Sequence, residues 1–304
     1  MNFDLSDDQV ALRDAIRRRC QERFDSARVR AGFDAAMFAE LADAGVFSLR
    51  ADGFGWADAS LVFQELGRAL VPGPLVWSHL AHGVVDGVVG GVERAPAGQA
   101  VLVEHLEHLD TLVVLGDDGV TAVPADALRG AVPLDWPLDP LTPLHRVEAL
   151  PETTLVADAA TARTWRQAGA VLVAAYQAGM AQACAERATE YGLARQQFNR
   201  PVGSFQAVKH LLADLAVRAE VARAAVDSAA CHLDDPEIGD VDRAVRAAKC
   251  LAGEAALANA KGSLQVHGGI GFTWDVDVHL FLKRAWLLNT AFGSPDEHAE
   301  ELAS

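Results

Sequence analysis

Three stretches carry residue types that could do chemistry. The first, "LQVHGGIGFTWDVDVHLFLKRA" from Leu264 to Ala285, joins paired glycines to a histidine, aromatics and a basic tail. Gly268 and Gly269 could let backbone approach a phosphate, or could simply supply the left-handed stop of a helix, the commoner use of such glycines. They end a helical pattern and follow no strand, unlike a dinucleotide-binding glycine loop. His267 and His279 lack Cys or carboxylate partners at ligand spacing, so no metal site is expected. The second stretch, "ARQQFNRPVGSFQAVKH", sets Arg195 and Arg200 around an aromatic, ahead of a Pro break and a new helix. A guanidinium fork beside helix-start amides suits a diphosphate; a solvated basic helix end is the plainer alternative. The third, "AAKCLAGEAALANAKGSLQ", holds a single carboxylate, Glu254, among small residues. Desolvated, it would have a raised pKa suited to proton abstraction; facing water, it is an ordinary helical Glu. Glu254 precedes Gln265 by eleven residues, about three helical turns, so the two share one face of a continuous helix.

The rest of the chain bounds what these groups can serve. With 304 residues, 51% of them hydrophobic, it can bury a full core as one large or two modest domains. A formal charge of −16 argues against nucleic acid and anionic membrane as partners, and an anionic ligand would need a local basic site. Cys20, Cys184, Cys231 and Cys250 form no CxxC pair, and the start "MNFDLSDDQV" lacks the basic-then-apolar order of a secretion signal. The reduced cytoplasm is the expected compartment. "AGAVLVAAYQAGMAQACA" is Ala- and Gly-rich with two Gln residues, and is expected to be a buried helix rather than a membrane span.

Helical spacing of apolar residues runs from Ser6 to about Arg50, with Ser6 and Gln9 placed for a capping box. A Gly-rich break, "ADGFGWADAS", precedes a second amphipathic run that "VPGP" stops. In the middle, "TLVVLGDDGVTAV" reads as a hairpin and the Pro-rich segments after it exclude long helices. From Ala159 the chain becomes Ala-rich and periodic, with room for four long helices. The expected domains are 1–90 helical, 91–158 a small β segment, and 159–304 helical.

Taken together, these stretches resemble the acyl-CoA dehydrogenase family. "ARQQFNRPVGSFQAVKHLLADLA" is similar to the family's Arg-x-x-Phe-Gly-x-Pro segment with its following Phe-Gln and Leu-Ala-Asp, and "LQVHGGIGFTW" to its Gln-x-x-Gly-Gly-x-Gly segment. "FDLSDDQVALRDAIR" and "FQELGRALVPGP" also match family habits. The resemblance implies a mainly α fold with an N-terminal helical domain, a β middle and a C-terminal four-helix bundle, and an FAD lying across a subunit interface. It would place Arg195, Gln197, Phe198, Val202 and Phe205 at the adenosine diphosphate of that FAD, and Gln265, Gly268 and Gly269 at its pyrophosphate end. Asn199 stands where the family has Gly, a substitution that left-handed backbone angles tolerate.

The implied reaction is α,β-dehydrogenation of an acyl-CoA, in which a carboxylate takes the α-proton and the flavin the β-hydride. The family's usual C-terminal Glu aligns with Phe292 in "TAFGSPDEH", which cannot accept a proton. Glu254 is matched instead to a second location for the base on a preceding long helix. The Thr-Glu-Pro-x-x-Gly-Ser and Trp-Ile-(Ser/Thr) segments that embrace the flavin ring in the family's middle domain are absent between Val92 and Asp158. The chain therefore resembles the truncated subunits of actinobacterial heteromeric acyl-CoA dehydrogenases of the steroid side-chain type. That implies a full-length acyl-CoA dehydrogenase-like partner in an α2β2 heterotetramer, a bulky acyl-CoA substrate, and an electron-transfer flavoprotein or similar acceptor. The alternative is a non-catalytic structural subunit that completes the FAD site of a catalytic partner.

Overall fold

A computed structural model describes residues 5–93 and 98–304. The start "MNFD", part of the argument against a secretion signal, lies outside the described residues. Five helices come first: α1 (Asp7–Arg23), α2 (Ser26–Arg30), α3 (Ala35–Asp43), α4 (Trp56–Arg68) and α5 (Leu75–Ala81). The capping box forms as expected, with Ser6 Oγ accepting from Gln9 N–H at 3.2 Å and the Gln9 side chain accepting from Ser6 N–H at 3.1 Å. Asp25 and Asp34 cap α2 and α3 in turn, so side-chain acceptors divide the first periodic run into three helices.

Seven of the strands among the described residues fall between residues 89 and 158. β1 (Val89–Glu93), β3 (Thr111–Leu115), β4 (Gly119–Pro124) and β7 (Thr154–Asp158) make one sheet in the order β1-β3-β4-β7. β2 (Val101–Glu104), β6 (Leu144–Val147) and β5 (Val132–Pro133) make a second. β3 and β4 are the antiparallel hairpin read from "TLVVLGDDGVTAV", paired from Thr111↔Pro124 to Leu115↔Val120.

The C-terminal region holds α6 (Ala159–Ala194), the two-residue strands β8 (Gln196–Gln197) and β9 (Arg200–Pro201), α7 (Gln206–Asp234), α8 (Val241–His267), α9 (Val278–Leu288) and α10 (Pro295–Ala303). Three of the four expected long helices are present, at 36, 29 and 27 residues. The fourth is short, 11 residues, because "NTAFGSP" breaks the chain and Ser294 opens a new capping box with Glu297. α6 is long and apolar enough to cross a membrane by composition, yet 94% of its most apolar window is buried inside the protein. Glycines explain how: a Cβ on Gly67 of α4 would collide with the backbone of Tyr176, and one on Gly179 of α6 with the backbone of Gln64. The two helices cross with their main chains in contact, which no larger residue allows.

A buried polar network ties the β region to this bundle. Arg284 of α9 donates through Nε to Asp139, and through Nη1 to Tyr176 Oη at 3.2 Å, while Tyr176 Oη donates to Val71 O at 2.8 Å. Asp139 also accepts from Leu141 N–H and Thr142 Oγ1, so its charge is both paired and hydrogen-bonded.

Candidate functional site

After α6 the chain makes a tight hairpin and folds back on its own helix. The turn residues of β8–β9, Phe198 and Asn199, both have left-handed backbone, φ 52° and 61°, the combination a two-residue hairpin with native twist requires. Asn199 adopts it as expected. Phe198 does so at a cost of about 1–2 kcal/mol, and its ring is 86% exposed. Gly203 lies against Gly192, and Val202 N–H donates to Arg195 O at 2.8 Å, closing the loop onto the end of α6. Phe205 receives Phe198 edge-on at 6.1 Å and Arg200 over its face at 4.0 Å.

The end of α8 meets this hairpin. Gly268, the C-cap residue, has φ +65°, so the helix-stop reading is correct for it. A Cβ at Gly268 or Gly269 would meet nothing within 4 Å, so the bare backbone there faces open space. Arg195, Gln197, Val202 and Gly269 line one cavity of about 300 Å³, together with Tyr191 and His267. The Arg195 guanidinium has no hydrogen-bond or ion-pair partner among the described residues. Gln265 is exposed one turn earlier on α8, and neither it nor Phe198 nor Phe205 lines the cavity.

Tyr191 and His267 were not among the expected site residues. Tyr191 precedes Arg195 by one helical turn, and its ring stacks on His267 at 4.3 Å. His267 Nδ1 lies 2.8 Å from Ser263 O, and burial, aided by Arg187, lowers its pKa. It is a packing residue that floors the cavity.

Phe292 occupies a different place. It is 3% exposed, with its ring 4.6 Å from Trp77 of α5 and against Gly169 of α6, where a Cβ would overlap it. Its backbone is left-handed, φ 52°, and held at both ends: Phe292 N–H donates to Glu93, and His298 Nε2 lies 2.8 Å from Phe292 O. Lys249, fully buried on α8, donates to Leu288 O at 2.9 Å. Burial pushes its ammonium down to about 7, against the pull of nearby Glu93. Phe292 also walls a cavity of about 480 Å³ that includes Arg163, Arg166 and Arg246, of which Arg246 pairs with Glu301 and Arg166 with Asp117.

Glu254 is exposed on α8 and lines neither of these cavities. Its neighbours Gly253 and Ala255 are buried, so Glu254 points off the outer edge of a helix whose inner face is used for packing.

Residues 161–303 match the model of the acyl-CoA dehydrogenase C-terminal domain. Over 257 residues, 82% of this chain and 77% of the relative, the sequence is 37% identical to the acyl-CoA dehydrogenase IpdE2 of Mycobacterium tuberculosis. The chain belongs to the acyl-CoA dehydrogenase family. It is also 32% identical to IpdE2 of Mycolicibacterium smegmatis over 251 residues, 81% of this chain and 78% of that one. Among solved structures it is similar to a chain of the ChsE4–ChsE5 complex from Mycobacterium tuberculosis, with a TM-score of 0.84, 21% identity, and coverage of 100% of this chain and 98% of that one. A variant of the Tcur3481–Tcur3483 steroid ACAD gives a TM-score of 0.81 at 23% identity, covering 97% and 96%. These two likenesses establish the fold.

Proposed function

We propose that this chain is one subunit of a heteromeric acyl-CoA dehydrogenase, furnishing the ADP-side wall for an FAD held mainly by a full-length partner subunit in an α2β2 assembly. The observation that carries this reading is the open cavity at Arg195, Gln197, Val202 and Gly269. It joins an unpaired guanidinium to side-chain-free backbone, the donor set a diphosphate needs. Arg195, Gln197, Phe198, Val202 and Phe205 would hold the adenosine diphosphate of FAD, with Gln265, Gly268 and Gly269 at its pyrophosphate end. When bound, FAD supplies the hydride acceptor. The chain's own part is to position the diphosphate and to present Phe198, Phe272 and Trp274, at 86%, 74% and 57% exposure, to a partner. The naming of ChsE4–ChsE5 as a complex supports a heteromeric arrangement.

The base comes from the partner. Phe292 fills the position matched to the family's C-terminal Glu, and Glu254 is exposed on α8. The substrate is an acyl-CoA, and a steroid-type acyl group is the reading that relatives such as the steroid ACAD support. The setting is the cytoplasm, with an electron-transfer flavoprotein or similar carrier taking the electrons.

Glu254→Gln in the purified complex tests the division of labour, because removing a general base lowers turnover about 10²–10⁴-fold. Dehydrogenation measured with an artificial electron acceptor is expected to be unchanged by the substitution. A loss of that size with the flavin spectrum intact would assign the base to this chain.

A further inference from the structure

One polar atom in the cavity at Arg195 is unsuited to a diphosphate. His267 lines that cavity and is 8% exposed, with one face of its ring stacked on Tyr191 at 4.3 Å. Its Nδ1 lies 2.8 Å from Ser263 O, and only a protonated nitrogen can bond a carbonyl. Burial, aided by Arg187, lowers its pKa, so near neutral pH the ring carries that single proton and Nε2 is an acceptor. Nε2 has no hydrogen-bond partner among the described residues, yet it is not sealed from solvent as Nε2 of His79 and of His279 are. The ring is thus held in place with a bare acceptor open to whatever fills the cavity.

An acceptor is the wrong group for a phosphate. Diphosphate oxygens are ionised and carry no proton near neutral pH, so they are drawn to the Arg195 guanidinium and repelled by the lone pair on Nε2. The group that satisfies Nε2 must bring its own O–H or N–H. In a molecule built around a diphosphate such as FAD, the nearest donors are the sugar hydroxyls that flank it on either side.

We infer that His267 Nε2 accepts a hydrogen bond from a sugar hydroxyl of the flavin nucleotide beside its diphosphate, which makes His267 a specificity-determining residue of this cavity. The inference rests on the FAD reading above. Arg195 and the bare backbone at Gly269 meet the charge, His267 reads the neighbouring hydroxyl, and Tyr191 fixes the plane of the imidazole. A diphosphate without such a hydroxyl would leave Nε2 covered and unpaired, and a buried acceptor without a partner costs more than the bond itself contributes.

The test measures FAD affinity of the flavin-stripped complex by quenching of flavin fluorescence. His267→Phe keeps a flat ring against Tyr191 and removes the acceptor, whereas His267→Gln loses the ring and can place an amide oxygen where Nε2 was. His267→Phe should weaken FAD roughly tenfold, the size of one well-made hydrogen bond, and His267→Gln should stay close to the unsubstituted complex. Packing alone predicts the reverse order, and that order would overturn the inference. Two FAD analogues, one lacking the ribose hydroxyls and the other the ribityl hydroxyl nearest the diphosphate, identify the sugar on the unsubstituted complex. One of them should bind roughly tenfold more weakly than FAD; full affinity for both would overturn the inference without any substitution in the chain. Arg195→Glu, run alongside, separates this contact from the reading beneath it. Unchanged flavin affinity in Arg195→Glu would overturn both, while flavin lost in Arg195→Glu and unaffected in His267→Phe would overturn the hydroxyl contact alone.

Discussion

Arg195→Glu in the assembled complex is expected to lose most of its flavin during purification, while the subunits stay together. The guanidinium sits at the edge of a cavity beside bare glycine backbone and has no partner among the described residues. A group left unpaired by its own fold costs the folded chain little when removed, so the effect should fall on the ligand. A charge-assisted hydrogen bond contributes about 1.5–3 kcal/mol, and Glu also places like charge beside a diphosphate. A weakening of flavin affinity by at least about 10- to 100-fold follows. The check is flavin absorbance per complex after gel filtration, with subunit ratio measured on the same fractions. Flavin retained at the unsubstituted level would show that Arg195 faces something else.

Phe292→Ala is expected to be strongly destabilising, by about 3–5 kcal/mol, as for other buried aromatic truncations. Trp77 comes from α5 and Gly169 from α6, so the ring joins the N-terminal helices to the bundle, while the backbone N–H of Phe292 adds a bond to Glu93 of β1. The backbone adds a second, sharper expectation. At φ 52° an L-residue is strained and Gly is not. Phe292→Gly should therefore be no less stable than Phe292→Ala, the reverse of the order at ordinary positions. Urea unfolding of the three proteins measures both effects. A Gly variant clearly less stable than the Ala variant would contradict the backbone reading.

Local signals in the sequence were the ones that carried through to structure. The Ser6–Gln9 box, the β3–β4 hairpin and the Gly268 stop are each decided by a few neighbouring residues, and all three form. The short α9 was missed because helical periodicity gave too little weight to Asn289, Gly293 and Pro295, which end one helix and open another. The candidate site was legible in part: motif position named Arg195, Gln197, Val202 and Gly269, and the fold gathers those four around one cavity. Their neighbours Tyr191 and His267 were not legible, since their ring stack depends on how α6 and α8 cross rather than on either motif. The same holds for Phe292, whose packing partners Trp77 and Gly169 are distant in sequence. Glu254 is the converse case. Small neighbours suggested an enclosed carboxylate, but on a helix they can equally be the packed face while the Glu looks outward.

The sharing of one FAD between this chain and a larger partner is tested most directly by flavin content. The chain is purified alone, and again after co-expression with a full-length acyl-CoA dehydrogenase-like subunit, and FAD released by denaturation is quantified against protein. The shared site predicts essentially no flavin on the chain alone and stoichiometric flavin on the complex. FAD bound stoichiometrically by the chain alone would contradict it.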